Sequence, residues 1–315
     1  MLVTLTLFLF GLAILLLSTK TLVDKSQQLA HKIHLSPLVV GITIVAVGTS
    51  LPELVVSTIA SIKGDYGLAL GNIVGSNITN ILLVLAVGIL AGNLRIGTTK
   101  TPKSTYLLVV ASALYTLMHF VVLNPFVVGV SLITFGILFI ILEYSWGLEG
   151  QRHEDFSLVS KFQSEKTTFL SKDALYLVVA ITGVTFGGFV IVNSVENLST
   201  ILGYSTTVLG LCLTAVATSL PELLTTLFSQ NNKDEKLAMG NILGSNVYNI
   251  TFIGGISYLF TSNQYLESFN WAWFISSSIV LLFTVQFLKG NHIPKLIGVL
   301  LLGTYLVYLL TVIAK

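Results

Sequence analysis

Apolar positions run through this chain in long blocks, separated by short polar joints. The blocks lie near 2–24, 36–61, 66–92, 104–122, 126–145, 172–196, 205–229, 235–260, 268–289 and 293–313. Each is close to or above the ~20 residues an α-helix needs to cross the hydrocarbon of a bilayer. The short alternating segments of a membrane β-barrel are not the pattern here. The pattern predicts an all-α integral membrane protein with ten transmembrane helices, its surface partner being the lipid bilayer. One longer polar stretch, WGLEGQRHEDFSLVSKFQSEKTTFLS at 146–171, reads as a connecting loop between 1–145 and 172–315. It is too short for a folded regulatory domain.

Two blocks contain residues that lipid would penalise. VAVGTSLPEL at 45–54 and TAVATSLPEL at 214–223 each place a helix-breaking proline beside a glutamate. Residues 36–82 align without a gap on 205–251 at an offset of 169, and GNIVGSNITNI returns as GNILGSNVYNI. The chain is therefore an internal duplication, with a first half at 1–145 and a second at 172–315. Five helices per half is an odd number, so the second half enters the membrane from the opposite side. Inverted repeats with interrupted helices are the pattern of secondary transporters.

Composition and charge sharpen this picture. Only 10% of the 315 residues are charged and 54% are hydrophobic, against about 25% charged in a soluble domain. A net charge of +2 gives no reason to expect a nucleic-acid partner. With the N-terminus outside, fourteen of the 16 Lys and Arg fall on the cytoplasmic side, leaving only Lys63 and Lys315 outside. That asymmetry predicts N-out and C-out termini in the cell membrane, with 146–171 cytoplasmic. The opening apolar run lacks a basic n-region and an A-x-A site, so it reads as a first helix, not a cleaved signal. The single Cys212 rules out a disulfide framework and reads as a small core hydrophobe.

The repeated motifs supply the chemistry. Pro52 and Pro221 lack an N–H, which frees carbonyls near Ala46–Gly48 and Ala215–Ala217. Free carbonyls inside a membrane are tolerated only where something polar meets them. Glu53 and Glu222 follow directly, where an isolated carboxylate would be costly. Thr49, Ser50, Thr218 and Ser219 add oxygens at the same level, and the partner segments add Ser76, Asn77, Asn80, Ser245, Asn246 and Asn249. Gly71, Gly75, Gly240 and Gly244 permit close helix approach. The inventory is all hard oxygen, without His or Cys, which disfavours zinc, copper or iron. It suits Ca²⁺ and Na⁺ as transported substrates, Mg²⁺ less so, and requires no cofactor. Two carboxylates neutralise one Ca²⁺, two Na⁺ or two protons.

Other polar residues read more plainly. His119 fits a satisfied buried histidine, and Glu143 and Glu196, at helix ends, are expected to face solvent. Glu149, Glu154, Asp155 and Glu165 lack EF-hand spacing and read as a solvated face. No H-E-x-x-H or G-x-S-x-G constellation suggests an enzyme. A cation channel would also need carboxylates, but channels of that kind close a pore with oligomeric rings. Two repeats within one chain make a complete site, which favours a carrier that works as a monomer.

The GTSLPE and GNxxGSN blocks resemble the alpha-repeats of the cation/calcium exchanger superfamily, in its sodium/calcium exchanger branch. The GNxxE-type motifs of the proton/calcium branch are not present. The resemblance implies an antiporter with a diamond-shaped ion cluster at the midplane, built from the second, third, seventh and eighth helices. It also implies alternating access, with the first and sixth helices sliding over the remaining eight. By the same resemblance, Glu53 and Glu222 would be carboxylates shared by Ca²⁺ and Na⁺, completed for Ca²⁺ by the Thr49 and Thr218 carbonyls. Ala46, Thr49, Ser50 and Ser76 would line one sodium site, and Ala215, Thr218, Ser219 and Ser245 the other. Asn80 and Asn249 would hold the middle positions. The family often has Asp at the second of these, and ATSLPE replaces GTSLPE at Ala217. Amides at both middle positions leave two carboxylates in the cluster. Na⁺ is the expected counter-ion, and H⁺ the alternative.

Overall fold

The computed structural model describes residues 1–32, 46–92, 94, 96, 100–121, 124–151, 171–231, 235–260 and 266–314; among these the regular structure is helical, with no β-strand. In chain order the helices are α1 (Leu2–Lys32), α2 (Ala46–Thr49), α3 (Leu51–Ile62), α4 (Tyr66–Thr79), α5 (Leu85–Ala91), α6 (Lys100–Phe120) and α7 (Pro125–Gln151). They continue with α8 (Ser171–Leu202), α9 (Thr206–Leu209), α10 (Ala215–Thr218), α11 (Leu220–Asn231), α12 (Glu235–Tyr248), α13 (Gly254–Leu259), α14 (Ser268–Leu288) and α15 (Lys295–Ile313). Three π-helical turns, Asn80–Val84, Gly210–Thr214 and Asn249–Ile253, join α4 to α5, α9 to α10 and α12 to α13.

Among the described residues, seven continuous helical stretches are long and apolar enough to cross a membrane by length and composition. The chain is a multi-pass membrane protein. Its outward faces carry Phe10, Leu17, Val178, Phe186, Phe283, Phe287 and Leu310, all exposed, an apolar exterior of the kind lipid covers. The interior holds the reverse, a set of fully buried Ser, Thr, Asn and Glu side chains.

Local sequence explains the turns that bring the inner helices together. Gly64 has φ +82° and Gly203 φ +74°, the left-handed conformation that ends α3 and α8. Asp65 then caps α4, its Oδ1 accepting from Leu68 N at 3.0 Å. Ser205 caps α9 in the same way, its Oγ accepting from Val208 N at 3.2 Å. Because Gly71 and Gly75 lack side chains, α4 lies directly on the backbone of α9 and its π turn. A Cβ on Gly71 would stand 2.6 Å from Thr207 O, and one on Gly75 2.6 Å from Leu211 O. Larger residues at either position would push the two motif segments apart.

Around this centre α1 packs along α8, with Gly11 and Gly187 at the crossing; a Cβ on Gly187 would stand 2.7 Å from Gly11 O. Lys63, which caps α3, ties that helix to α8 through Glu196 (2.5 and 2.6 Å) and Asn193 Oδ1 (2.8 Å). Leu94 and Ile96 pair with 290–293 through Ile96 N to Asn291 O (3.0 Å), Gly290 N to Ile96 O (2.9 Å) and Ile293 N to Leu94 O (2.8 Å).

The helices depart from the apolar blocks in informative ways. The block at 205–229 contains a π turn and a break at Ser219. The block at 36–61 is described only from Ala46, and it breaks at Ser50. Helix α1 continues to Lys32 and α7 to Gln151, past the apolar residues, because helix propensity does not require apolarity. The beginning of the 146–171 connector is thus helical, and 152–170 lies outside the described residues. Glu143, expected in solvent, is 4% exposed and accepts a hydrogen bond from Ser104 of α6. The correction has a simple cause: α6 covers that end of α7 and supplies a hydroxyl to the carboxylate.

Candidate cation-binding site

The two prolines place the site. Ser50 (φ −87°, ψ 7°) and Ser219 (φ −79°, ψ 4°) sit between helical halves, outside helical geometry. Pro52 and Pro221 cannot donate to the carbonyls of Gly48 and Ala217 one turn back. The short helices α2 and α10 therefore end where α3 and α11 begin, and Glu53 and Glu222 lie in the first turns of the latter. Both carboxylates are completely buried.

Each half of the sequence is completed by the other. Ser50 Oγ donates to Glu222 Oε1 at 3.0 Å, and Ser219 Oγ donates to Glu53 Oε1 at 3.3 Å. Thr49 Oγ1 donates to Asn241 Oδ1 at 3.1 Å, and Thr218 Oγ1 shares its proton between Asn72 Oδ1 at 3.2 Å and Thr214 O at 3.0 Å. The hydroxyls of Thr49 and Ser245 are 3.4 Å apart, and those of Ser76 and Thr218 3.5 Å. Every one of these pairs between the halves maps onto its twin by the 169-residue offset, so the cluster has approximate twofold symmetry. The two carboxyls are close enough to interact electrostatically.

What these groups leave unpaired defines the chemistry. Glu53 Oε2 and Glu222 Oε2 are buried without a hydrogen-bond partner. So are both amide atoms of Asn80 and of Asn249, and the Oδ1 atoms of Asn77 and Asn246. The amide nitrogens of Asn77 and Asn246 donate to Ile73 O (2.8 Å) and Ile242 O (2.6 Å), which turns their oxygens away from their own helices. An enclosed polar atom without a partner costs roughly 1–3 kcal/mol. A symmetric group of unpaired oxygens is a place where a cation lowers the energy.

Of the residues expected from sequence, Glu53, Glu222, Thr49, Thr218, Ser50, Ser219, Ser76 and Ser245 all make buried contacts between the two motif copies: Ser50 with Glu222, Ser219 with Glu53, Thr49 with Ser245 and Thr218 with Ser76. Asn80 and Asn249 begin matching π turns and are fully buried. Ala215 is fully buried at the start of α10. Ala46 begins α2. His119 stands apart, against the Trp271 ring (4.6 Å) with the Tyr258 hydroxyl 3.5 Å away. Sequence reasoning missed Asn72 and Asn241, which hold the two threonines. Their signal was present, since both are the Asn of GNIVGSN and GNILGSN. It also missed the π turns, which have no signature in residue pattern.

Comparison with known proteins gives the family. The sodium/calcium exchanger protein family matches residues 3–147 and 172–314, nearly the whole chain in two blocks. The chain belongs to the sodium/calcium exchanger family. A putative antiporter, CaxA of Alkalimonas amylolytica, is 31% identical over 262 residues, covering 81% of this chain and 80% of that one. The sodium/calcium exchanger MaX1 of Methanosarcina acetivorans is 28% identical over 337 residues, covering 96% of each. Among solved structures, the sodium-calcium exchanger NCX_Mj soaked with 2.5 mM Na⁺ and 10 mM Sr²⁺ aligns over 97% of both chains with a TM-score of 0.68 and 25% identity. The gap between the two matched blocks, 148–171, coincides with the polar connector.

Proposed function

We propose that this sodium/calcium exchanger family member is a secondary antiporter that moves Ca²⁺ one way and Na⁺ the other across the cell membrane. In this reading ten transmembrane helices form two inverted five-helix halves, 1–145 and 172–315, with 146–171 cytoplasmic and both termini outside. The observation that carries it is the pair Glu53 and Glu222, fully buried, each held by the other half's serine and each with one oxygen unpaired.

Charge balance gives the coupling. Two carboxylates bind one Ca²⁺ without net charge, and they can equally be compensated by two Na⁺. Occupancy by either alternative avoids leaving bare buried carboxylates, which are costly in a membrane. Transport without a counter-ion is therefore disfavoured. In this reading the Thr49 and Thr218 carbonyls complete the calcium position. Ala46, Thr49, Ser50 and Ser76 line one sodium position, Ala215, Thr218, Ser219 and Ser245 the other, and Asn80 and Asn249 supply neutral oxygens between them. The α1–α8 pair, joined through Gly11 and Gly187, is the element that slides. One chain holds one complete site and works as a monomer.

A second reading, H⁺ in place of Na⁺, is favoured by the neutral amides at Asn80 and Asn249, which limit the site to two negative charges. The experiment is radioactive Ca²⁺ uptake into proteoliposomes under an imposed Na⁺ gradient and, separately, an imposed pH gradient. Uptake driven by Na⁺ at constant pH is the expected result. Uptake driven by the pH gradient alone would replace Na⁺ by H⁺.

A further inference from the structure

A cavity with a partly polar lining, which includes neither Glu53 nor Glu222, lies where α9 and α14 begin and α15 ends. We propose that it is a low-affinity site for a partly hydrated divalent cation of the calcium class. The cavity has a volume of about 210 Å³, and its polar lining is Ser205, Thr207, Glu267 and Asn270. Its apolar wall includes Leu211 of the Gly210–Thr214 π turn, which leads into α10 and the glutamate cluster.

Asn270 decides what the cavity wants. It is 7% exposed, it lines the cavity, and its Oδ1 is buried without a hydrogen-bond partner. An amide oxygen left so is satisfied by a donor or by a cation. Glu267 supplies the charge. It stands at the N-cap position of α14 and lines the cavity. Asp65 adds a second carboxylate nearby, since its Oδ1 accepts from Thr206 Oγ1 at 2.8 Å beside the cavity-lining Thr207. These carboxylates offset the partial positive charge of the adjacent helix N-termini. Carboxylate, amide oxygen and hydroxyls are the ligands Ca²⁺ accepts, and Ca²⁺ completes its six to eight ligands with water where protein oxygens are few. With one carboxylate in the lining, affinity falls on the order of 10⁻³ M, the range of weak extracellular calcium modules. In the orientation proposed above the cavity faces outside. It would bind a cation whether or not the two glutamates carry exchange.

The test separates the two sites. Purified Glu53→Gln/Glu222→Gln protein in a neutral detergent is titrated with Tb³⁺, read as luminescence excited through tryptophan, because Trp271 follows Asn270 in the chain. The expected result is a saturable signal that Ca²⁺ displaces, weakened about tenfold by adding Glu267→Gln and abolished by adding Asn270→Leu as well. Glu267 is exposed, so its single replacement reads out even if Asn270→Leu disturbs folding. No saturable signal in the double-Gln protein, or one indifferent to Glu267→Gln, overturns the proposal.

Discussion

The two copies of the motif are nearly the same at the glutamates and differ one step behind them. In the first copy Thr218 donates to Asn72, and Asn72 Nδ2 donates onward to Ser57 Oγ at 2.9 Å. In the second copy Thr49 donates to Asn241, but Asn241 Nδ2 has no partner, and neither does the hydroxyl of Thr226, the residue that corresponds to Ser57. The cause is the added methyl. A Cβ on Gly88 would stand 2.7 Å from Thr226 Cγ2, so that methyl is packed against α5, and a β-branched side chain has few rotamers to choose from. One threonine is held by a finished chain of hydrogen bonds and the other by a chain that stops short. Repetition in sequence sets the shared geometry, and a single methyl breaks the symmetry of its support.

The largest effect is expected where the copies agree. Glu53→Gln and Glu222→Gln should each abolish Ca²⁺ flux in proteoliposomes, at least about 100-fold below wild type, while the proteins remain monodisperse. Flux near wild type in either variant would take that glutamate out of the site.

The next pair probes the difference. Asn72→Leu removes a finished hydrogen-bond chain and leaves Ser57 without its donor; Asn241→Leu removes a group already half unpaired. At about 1 kcal/mol per net hydrogen bond, Asn72→Leu should lower thermal stability more than Asn241→Leu by roughly that amount. Both should raise the half-saturating Ca²⁺ concentration about fivefold. Equal melting shifts would mean that the second chain is completed by something else.

Thr226→Ser is the smaller, restoring change. Without the methyl, the hydroxyl can turn toward Asn241 Nδ2, so a gain of about 0.5 kcal/mol is expected, offset in part by lost packing at Gly88. Ser57→Ala should cost about as much in the opposite direction. A thermal-shift series on the two variants decides it.

Asn249→Asp concerns coupling. A third carboxylate in the cluster should change the dependence of Ca²⁺ flux on Na⁺ and pH more than it changes Ca²⁺ affinity. Sodium and pH profiles that coincide with wild type would count against that expectation.

How much of this was legible in the chain depended on whether it repeats. TSLPEL and GNxxGSN announced the buried carboxylates, the breaks and the hard oxygen inventory. They did not say that Ser50 serves Glu222 instead of Glu53, because contact between repeats has no periodicity within either repeat. The brace through Asn72 and its interruption at Thr226 depend on packing between α11 and α5, which the residue pattern does not encode. Glu143 was misread for a related reason: its position at a helix end suggested water, and the neighbouring α6 covers it. The cavity around Asn270 brings together residues of α9, α14 and α15 that are far apart in the chain, which the residue pattern does not encode.

Obligatory exchange at the glutamate pair is tested most directly by the dependence of efflux on the ion outside. Liposomes holding the protein and loaded with radioactive Ca²⁺ are diluted into medium without Na⁺ or Ca²⁺, then into the same medium with each. Little efflux in the first medium, restored by Na⁺ or by Ca²⁺ and lost in Glu53→Gln, is the predicted result. Efflux at the same rate into medium without Na⁺ or Ca²⁺, unchanged when the outside pH is raised to remove protons as counter-ion, would show a pore that conducts without exchange, and would contradict the account.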